Sequence, residues 1–414
     1  MRDRLGALAE RNFRLVFSAQ TVSALGDGVS TIALAFAVLQ ISHNSPSAVG
    51  LVIASRQVAA AVITVAAGVL SDRFPRHVVL VSVSLVQGTV QVVSGSLILG
   101  GHATVFRIGA LAALYGLADG FVIPASQGFI PTIVSAARLQ QANALLGLSR
   151  SLLGILGPAV GGVLVALGSP GAGLIVDAVT FFVASALILR VAIPPAGDVV
   201  VPEPFLTELR QGWNEFRRQR WIWTTIVFFG IGNFAGASLS VLGPLIAKRD
   251  LGGAAAWAAI VAAGGAGAIV GGVFALRRRF ARPLVASCIA AIPYGFQTLA
   301  IGLGLPLWAL ILNSAFAGAA LAVHLALWFT VFQSQVPEAA RSRVSSYDAL
   351  GSFVLIPLGS ALAGTVAGQV GAHATLIGSG AISVACILVV IAQPSVWAVG
   401  RESPEADQAG ASTA

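Results

Sequence analysis

No Asp, Glu, Lys or Arg occurs in residues 283–337, which read PLVASCIAAIPYGFQTLAIGLGLPLWALILNSAFAGAALAVHLALWFTVFQSQVP. A helix needs about 20 apolar residues to cross a hydrocarbon core of about 30 Å, so this stretch is long enough for two crossings. The Gly-Leu-Pro sequence at 304–306 predicts the reversal between them. Residues 349–400 lack the same four residue types and hold two further crossings.

The composition of the whole chain indicates an integral membrane protein. Of its 414 residues, 57% are hydrophobic and 10% are charged, whereas soluble globular proteins carry about 25% charged residues. The formal net charge of +8 must therefore be interpreted from the positions of the basic residues relative to the bilayer. It does not indicate nucleic-acid binding. Both cysteines, Cys288 and Cys386, lie in apolar runs, so we expect no disulfide, metal site or cofactor.

The hydrophobic runs predict an all-α integral membrane fold with twelve transmembrane helices. Stretches free of acidic and basic residues define most of these helices, and the others contain an isolated charge. The predicted helices cover 13–40, 48–70, 78–99, 105–126, 141–167, 171–193, 221–247, 254–276, 283–303, 306–332, 346–368 and 373–393.

The basic residues predict how the chain is oriented. With both termini in the cytoplasm, all but five of the 24 Lys and Arg residues fall in cytoplasmic segments, as the positive-inside rule requires. Lys248 and Arg249 lie in an outer loop, and Arg56, Arg107 and Arg150 lie within helices. We therefore expect a multi-pass protein of the inner membrane, with anionic lipid at its basic loops.

The chain repeats itself at about half its length. Gly68-Val69 precedes one basic loop, and Gly272-Val273 precedes another. Two six-helix pseudo-repeats follow from this match, and in such transporters the substrate binds between the repeats at the midplane. The predicted units are a first half at 1–193, a cytoplasmic linker at 194–220, a second half at 221–393 and a disordered tail at 394–414.

Two motifs resemble those of a known family. The loop after the second helix reads Gly68-Val-Leu-Ser-Asp72-Arg73-Phe-Pro75-Arg76-His77, and the fifth helix contains Gly154-Ile-Leu-Gly157-Pro158-Ala-Val-Gly161-Gly162. The first is similar to the signature loop of the major facilitator superfamily, with Pro75 where Gly is usual. The second is similar to the antiporter motif of that superfamily. Together they resemble the drug/proton antiporter branch that includes macrolide efflux and enterobactin export proteins.

The loop motif predicts a gate. In this loop, which follows Gly68, the Asp72 carboxylate lies close in sequence to Arg73 and Arg76. These groups can form charge-assisted hydrogen bonds that lock the cytoplasmic ends of the helices together. The alternative is an ordinary basic cytoplasmic loop. The glycines of the fifth and eighth helices predict that these two helices meet at the seam between the halves, because small residues permit close approach. These glycines are Gly147, Gly154, Gly161, Gly168, Gly264, Gly267 and Gly271.

Charged residues within the helices are the strongest indication of a functional site. Unpaired charges are costly in lipid, so their depths predict the pairs Asp27–Arg56, Asp119–Arg150 and Asp177–Arg107. Asp119 could instead reach the loop at 73–76. Asp27 is the preferred proton or substrate-cation site, since polar residues flank it along one helix face. A static pair with Arg56 is the alternative.

Further side chains are candidates for lining a cavity. Each of them could equally be a packing residue of the helix bundle, because aromatic residues and lone histidines more often serve that role. The predicted cavity residues are Gln20, Tyr115, Asn233, Asn313, His324 and Trp328.

The motifs and the charges together favour a transporter over an enzyme. We expect a monomeric secondary transporter that exports a small amphipathic organic molecule by rocking of its halves, in exchange for protons. The alternatives are a proton-coupled uptake symporter, a lipid-modifying membrane enzyme and a non-transporting receptor. The chain has no Gly-x-x-x-x-Gly-Lys-Ser/Thr loop, which disfavours ATP as the energy source. It also shows no catalytic Ser/His/Asp set, which disfavours the enzyme.

Overall fold

The structure is a computed structural model of the chain, and it describes most of the residues. The described residues are 2–135, 138–192, 217–218, 220–278, 280–336, 344, 347–348 and 351–399.

The first half contains a 3₁₀ helix, Arg2–Ala9, and seven α-helices. These are α1 (Arg11–Ile41), α2 (Pro46–Arg73), α3 (Arg76–Leu99), α4 (Val105–Asp119), α5 (Val122–Ile133), α6 (Leu139–Leu167) and α7 (Pro170–Ile188). The fourth predicted crossing, 105–126, thus corresponds to two shorter helices, which are interrupted at Gly120 and Phe121.

The second half contains eight described α-helices. These are α8 (Arg220–Gly236), α9 (Ser238–Asp250), α10 (Ala254–Arg277), α11 (Pro283–Gly302), α12 (Leu307–Gln335), α13 (Ile356–Val370), α14 (Ala372–Ile391) and α15 (Pro394–Ala398). Across both halves, eleven stretches of the described residues are long and apolar enough to cross a membrane. With the α4–α5 pair as the twelfth, the all-helical fold matches the prediction.

Local sequence signals explain where several helices begin. Side-chain oxygens of Ser45, Thr104 and Ser169 accept hydrogen bonds from the first backbone N–H groups of α2, α4 and α7. Between α11 and α12, Gly304 has a φ of +70°, which glycine adopts readily, and Pro306 precedes the next helix. The predicted reversal at 304–306 is therefore confirmed.

The predicted linker and tail lie mainly outside the described residues. Of the linker at 194–220, the structure describes only 217, 218 and 220, all of them helical. The prediction that disorder begins at 394 is wrong, because 394–398 form α15. Trp397 of that helix donates a hydrogen bond from Nε1 to the Ile391 carbonyl oxygen at 2.6 Å, and Arg282 lies 5.2 Å from its ring centroid.

The two halves share a core at one end of the bundle only. We call the end that carries Arg73, Arg76, Arg138 and Arg277 the arginine-rich end. At the opposite end, first-half residues such as Ile32 pack in one buried cluster with second-half residues. At the arginine-rich end there are two separate clusters among the described residues, one in each half. The halves are therefore closed together at the opposite end.

Most of the contact between the halves comes from two helix pairs, α6 with α10 and α2 with α13. The prediction that the fifth and eighth crossings meet at the seam is thus confirmed. Hydrogen bonds also join α2 to α13: Ser47 Oγ donates to the Gly364 carbonyl oxygen at 3.0 Å, and Ser360 Oγ donates to Gln57 Oε1 at 3.0 Å.

The predicted partner of the α10 glycines is wrong. Gly267 and Gly271 face α12, where an added methyl group would meet the carbonyl oxygens of Ala315 and Ala319. Gly264 likewise faces Ser314 of α12, whereas Gly265 is the glycine that faces α6. Sequence spacing places glycines on one stripe of a helix, but it does not say which neighbour the stripe faces.

The close packing of α10 on α12 makes Gly267 sensitive to substitution. Gly267→Ala should destabilise the second half by at least about 1–3 kcal/mol, because the helices must separate to admit the methyl group. Thermal unfolding of the purified protein measures the effect. Gly272→Ala on the same helix is the matched control, since nothing lies within 4 Å of its added methyl group. Equal melting temperatures for the two variants would contradict this packing.

Candidate transport site

Close packing of α4 on α2 builds a polar network inside the first half. Gly116 of α4 lies directly against the backbone of Arg56 in α2, where a side chain on residue 116 would meet the Arg56 carbonyl oxygen. Gly120 lies similarly against α2 at Ala60. The neighbours of these glycines, Tyr115 and Asp119, are therefore held beside Arg56.

Tyr115 is the centre of this network. Its hydroxyl donates a hydrogen bond to Asp27 Oδ1 at 2.7 Å, and the Arg56 guanidinium carbon lies 4.1 Å from its ring centroid. Arg56 Nη2 in turn lies 3.8 Å from Asp119 Oδ2, and Gln87 Nε2 donates to Asp119 Oδ1 at 3.2 Å. We call Asp27, Tyr115, Arg56 and Asp119 the acid–arginine network. It contains two carboxylates and one guanidinium.

None of the three ion pairs predicted from depth is present among the described residues. Arg56 pairs with Asp119 rather than with Asp27, which it approaches across the Tyr115 ring. Arg150 Nη2 donates to Gln20 Oε1 at 3.4 Å, and Arg107 Nη1 donates to the His102 carbonyl oxygen at 2.7 Å. Depth along a helix fixes the height of a side chain but not the direction in which it points, so depth alone could not choose the partners.

Asp177 forms a separate buried contact beside the network. It is 0% exposed, and its Oδ2 accepts a hydrogen bond from Gln91 Nε2 at 2.6 Å. The same nitrogen donates to Ser30 Oγ, also at 2.6 Å. Gly26 of α1 makes room for Asp177, because an added methyl group there would meet Asp177 Oδ1. The hydrogen-bond partners of Asp177 are thus neutral side chains, whereas its depth had predicted a pair with Arg107.

Two adjoining cavities lie in and beside the second half. The smaller, of about 270 Å³, is lined by helices of the second half alone. The larger, of about 650 Å³, also includes Gln57 and Gly154 of the first half. Both are lined by Asn233, Gly236, Tyr294, Leu321 and Leu325.

Three of the predicted cavity residues line these spaces. Asn233 lines both cavities, and His324 and Trp328 line the smaller one. The His324 ring stacks on Phe229 with centroids 5.0 Å apart, and its Nδ1 lies 2.9 Å from Ser287 Oγ. The ring is therefore held in a fixed orientation at the cavity wall. A role for these residues in transport stays a prediction.

The other predicted cavity residues are placed elsewhere. Tyr115 is 2% exposed and belongs to the acid–arginine network, and Gln20 is bonded to Arg150. Asn313 does not line either cavity, and its Nδ2 is buried without a hydrogen-bond partner among the described residues.

Asp348 is a cavity residue that the sequence analysis missed. It lines the smaller cavity, accepts a hydrogen bond from Trp328 Nε1 at 3.1 Å and accepts another from Ser352 Oγ at 3.1 Å. The sequence could have identified Asp348 as a candidate, because it lies inside the predicted crossing 346–368. It is thus a fourth intramembrane acid, which the count of isolated charges left out.

The antiporter-like segment packs against two helices at once. An added methyl group on Gly157 would lie 2.7 Å from the Gly28 Cα atom, and one on Gly161 would lie 2.8 Å from the Val29 Cα atom, both in α1. Gly162 faces Ala258 of α10, and Pro158 lies inside α6. By contrast, nothing lies within 4 Å of an added methyl group on Gly147 or Gly154. The predicted seven-residue stripe is therefore not uniformly packed.

The predicted gating motif is described only in part. Helix α2 ends at Arg73 and α3 begins at Arg76, so Phe74 and Pro75 form the turn. The side chains of Asp72 and Arg73 lie outside the part of the structure that is described, as do the surroundings of Gly68. The gate stays a prediction.

Two six-helix halves around a central cavity, with charged side chains inside the bundle, define a membrane transporter of the major facilitator superfamily. The chain belongs to the family described as transmembrane secretion effector, whose model matches residues 3–405. It is therefore a multi-pass transporter and not an enzyme.

Known proteins agree with this assignment. The chain is 28% identical over 404 residues to the enterobactin exporter EntS of Shigella boydii serotype 18 (strain CDC 3083-94 / BS512), and 92% of each chain is covered. A POT family transporter in complex with 5-aminolevulinic acid has a TM-score of 0.73 at 11% identity, covering 94% of this chain and 97% of that one. A bacterial homolog of the human lysosomal transporter Spinster, inward-facing and unoccupied, has a TM-score of 0.68 at 16% identity, covering 95% and 98%. At these sequence identities, the similarity of the two structures to this chain shows a common fold and nothing about function.

Proposed function

We propose that this transporter exports a small amphipathic organic molecule from the cytoplasm by alternating access, in exchange for protons. The observation that carries the proposal is the single core shared by both halves at the end opposite the arginines. With the arginine-rich end in the cytoplasm, as the positive-inside rule favours, this arrangement is an inward-open state ready to load substrate. Both termini then lie in the cytoplasm, and the protein acts as a monomer in the inner membrane.

The acid–arginine network supports proton coupling. Asp27 and Asp119 compete for one nearby guanidinium, which lies against the Tyr115 ring between them. When Asp27 takes up a proton, Arg56 can remain with Asp119. When Asp27 releases it, Arg56 serves both carboxylates. A proton on Asp27 is thus linked to the position of α2, and α2 forms part of the contact between the halves. Arg150 lies outside this network and contributes through Gln20.

The substrate class follows from the cavities and from the relative. Aromatic and aliphatic side chains line most of the cavity surface, with a few polar groups, as is typical of sites for small organic molecules. The name of the Shigella boydii relative gives enterobactin as the molecule that it exports. We carry over to this chain only the broader class, which comprises drug-like, antibiotic or siderophore-like molecules.

Reconstituted protein tests the proposal. In proteoliposomes loaded with a pH-sensitive dye, compounds from a panel of drugs and siderophores should drive proton movement in the direction opposite to their own. A symporter would move both in the same direction, so a matching direction for every transported compound would overturn the export assignment. A compound that binds but moves no faster than through empty liposomes would favour the receptor alternative. To choose the compounds for this experiment, we compare how much of each compound accumulates in cells with and without the protein.

A further inference from the structure

The smaller cavity has an uncompensated acidic side chain. Asp348 is the one Asp, Glu, Lys or Arg among the residues that line the two cavities in the described part of the chain. No cation among the described residues pairs with Asp348, and its hydrogen-bond donors there are two neutral groups, Trp328 Nε1 and Ser352 Oγ. A carboxylate inside a helix bundle is costly without a positive partner. The described residues therefore supply no positive partner for this carboxylate in the cavity.

Aromatic rings line the same cavity as Asp348. Trp328, whose Nε1 binds Asp348, also lies edge-to-face with Trp221 at a centroid distance of 6.1 Å. Phe229 and Phe329 line the same cavity. The faces of aromatic rings attract organic cations, and they do so more strongly where water is excluded. The faces of the rings are electron-rich and, like the carboxylate, disfavour an anion.

Asp348 retains capacity to bind a further group. A carboxylate has about four acceptor positions on its two oxygens. The Trp328 hydrogen bond occupies one on Oδ2, and the Ser352 hydrogen bond occupies one on Oδ1. These two bonds also fix the orientation of the carboxylate in advance, so little freedom is lost when a cation binds.

We propose that Asp348, with Trp328 and the neighbouring aromatic rings, is a recognition site for organic cations in the second half. The proposal rests on the proposed function, because it names the substrate class of the same cavities. The two halves then have different roles. The acid–arginine network of the first half binds and releases protons, and the Asp348 site of the second half selects a lipophilic substrate that carries positive charge.

Two probes of matched shape and opposite charge test the site. Tetraphenylphosphonium and tetraphenylborate are titrated at equilibrium into the purified protein in nanodiscs of zwitterionic lipid, with empty nanodiscs as the reference. The wild-type protein should prefer the cation. Asp348→Asn should weaken cation binding by about tenfold, the equivalent of about 1.4 kcal/mol, and leave anion binding unchanged or tighter. Asp348→Glu should recover part of the preference.

The control removes the same charge elsewhere. Asp250 lies at the end of α9, outside both cavities, where it contacts His373, so Asp250→Asn should bind both probes like the wild type. Equal binding of the two probes by the wild type, or an equal loss of both in Asp348→Asn, would overturn the proposal. The comparison of cation and anion binding by the wild-type protein tests the proposal even if a variant does not fold. Because binding needs no gradient, cation preference without proton-linked export would count against the proposed function alone.

Discussion

The Asp27→Asn variant is expected to insert like the wild-type protein and to lose proton-driven export completely. Asparagine has nearly the same shape and can still accept the Tyr115 hydrogen bond, which the structure gives to Oδ1 at 2.7 Å. It cannot take up or release a proton, so Arg56 would stay with Asp119 throughout the cycle. Substrate-induced proton movement in proteoliposomes measures the loss, and equilibrium binding of substrate should be retained.

Asp250→Asn is the matched control for this experiment. It removes an equal charge from a partly exposed carboxylate in contact with His373, far along the chain from the network. This control should transport at the wild-type rate. If Asp27→Asn exchanged protons at the rate of the control, Asp27 would have no role in coupling, and Asp119 would become the acid to examine.

Joining α2 to α13 by a disulfide is expected to stop transport entirely. Ser47 Oγ lies 3.8 Å from the position of a methyl group on Gly368, so cysteines at these two positions can approach bonding distance. The bond would hold the halves together at the end where they share a core. Alternating access requires that contact to open, so the oxidised double variant should bind substrate and fail to export it.

Reduction provides the internal comparison for this cross-link. Export should return after treatment with dithiothreitol, and neither Ser47→Cys nor Gly368→Cys alone should respond to oxidant. The native Cys288 and Cys386 are both buried, which limits side reactions. Undiminished export by the fully cross-linked protein would contradict alternating access at this contact.

The structure corrects the predicted site more than the predicted fold. Residues 304–306 predicted a reversal that the structure contains, since glycine and proline act on their own segment of backbone. Asp119, in contrast, was assigned to Arg150 and is paired with Arg56. That choice depends on Gly116, which brings α4 close enough to α2 to set Asp119 beside Arg56. A contact between helices that are distant in sequence cannot be read from either helix alone.

The sequence by itself was enough to predict that this protein lies in lipid and which segments cross it, whereas the side of the membrane on which its arginines lie stays a prediction. A helix that crosses lipid must be long and apolar enough, and its length and hydropathy are both properties of consecutive residues. Only the tertiary structure decided that Tyr115 lies between an acid and an arginine, and that Asp348 faces a cavity to which the described residues bring no counter-charge. These features depend on the rotation and packing of helices, which are settled when the helices meet.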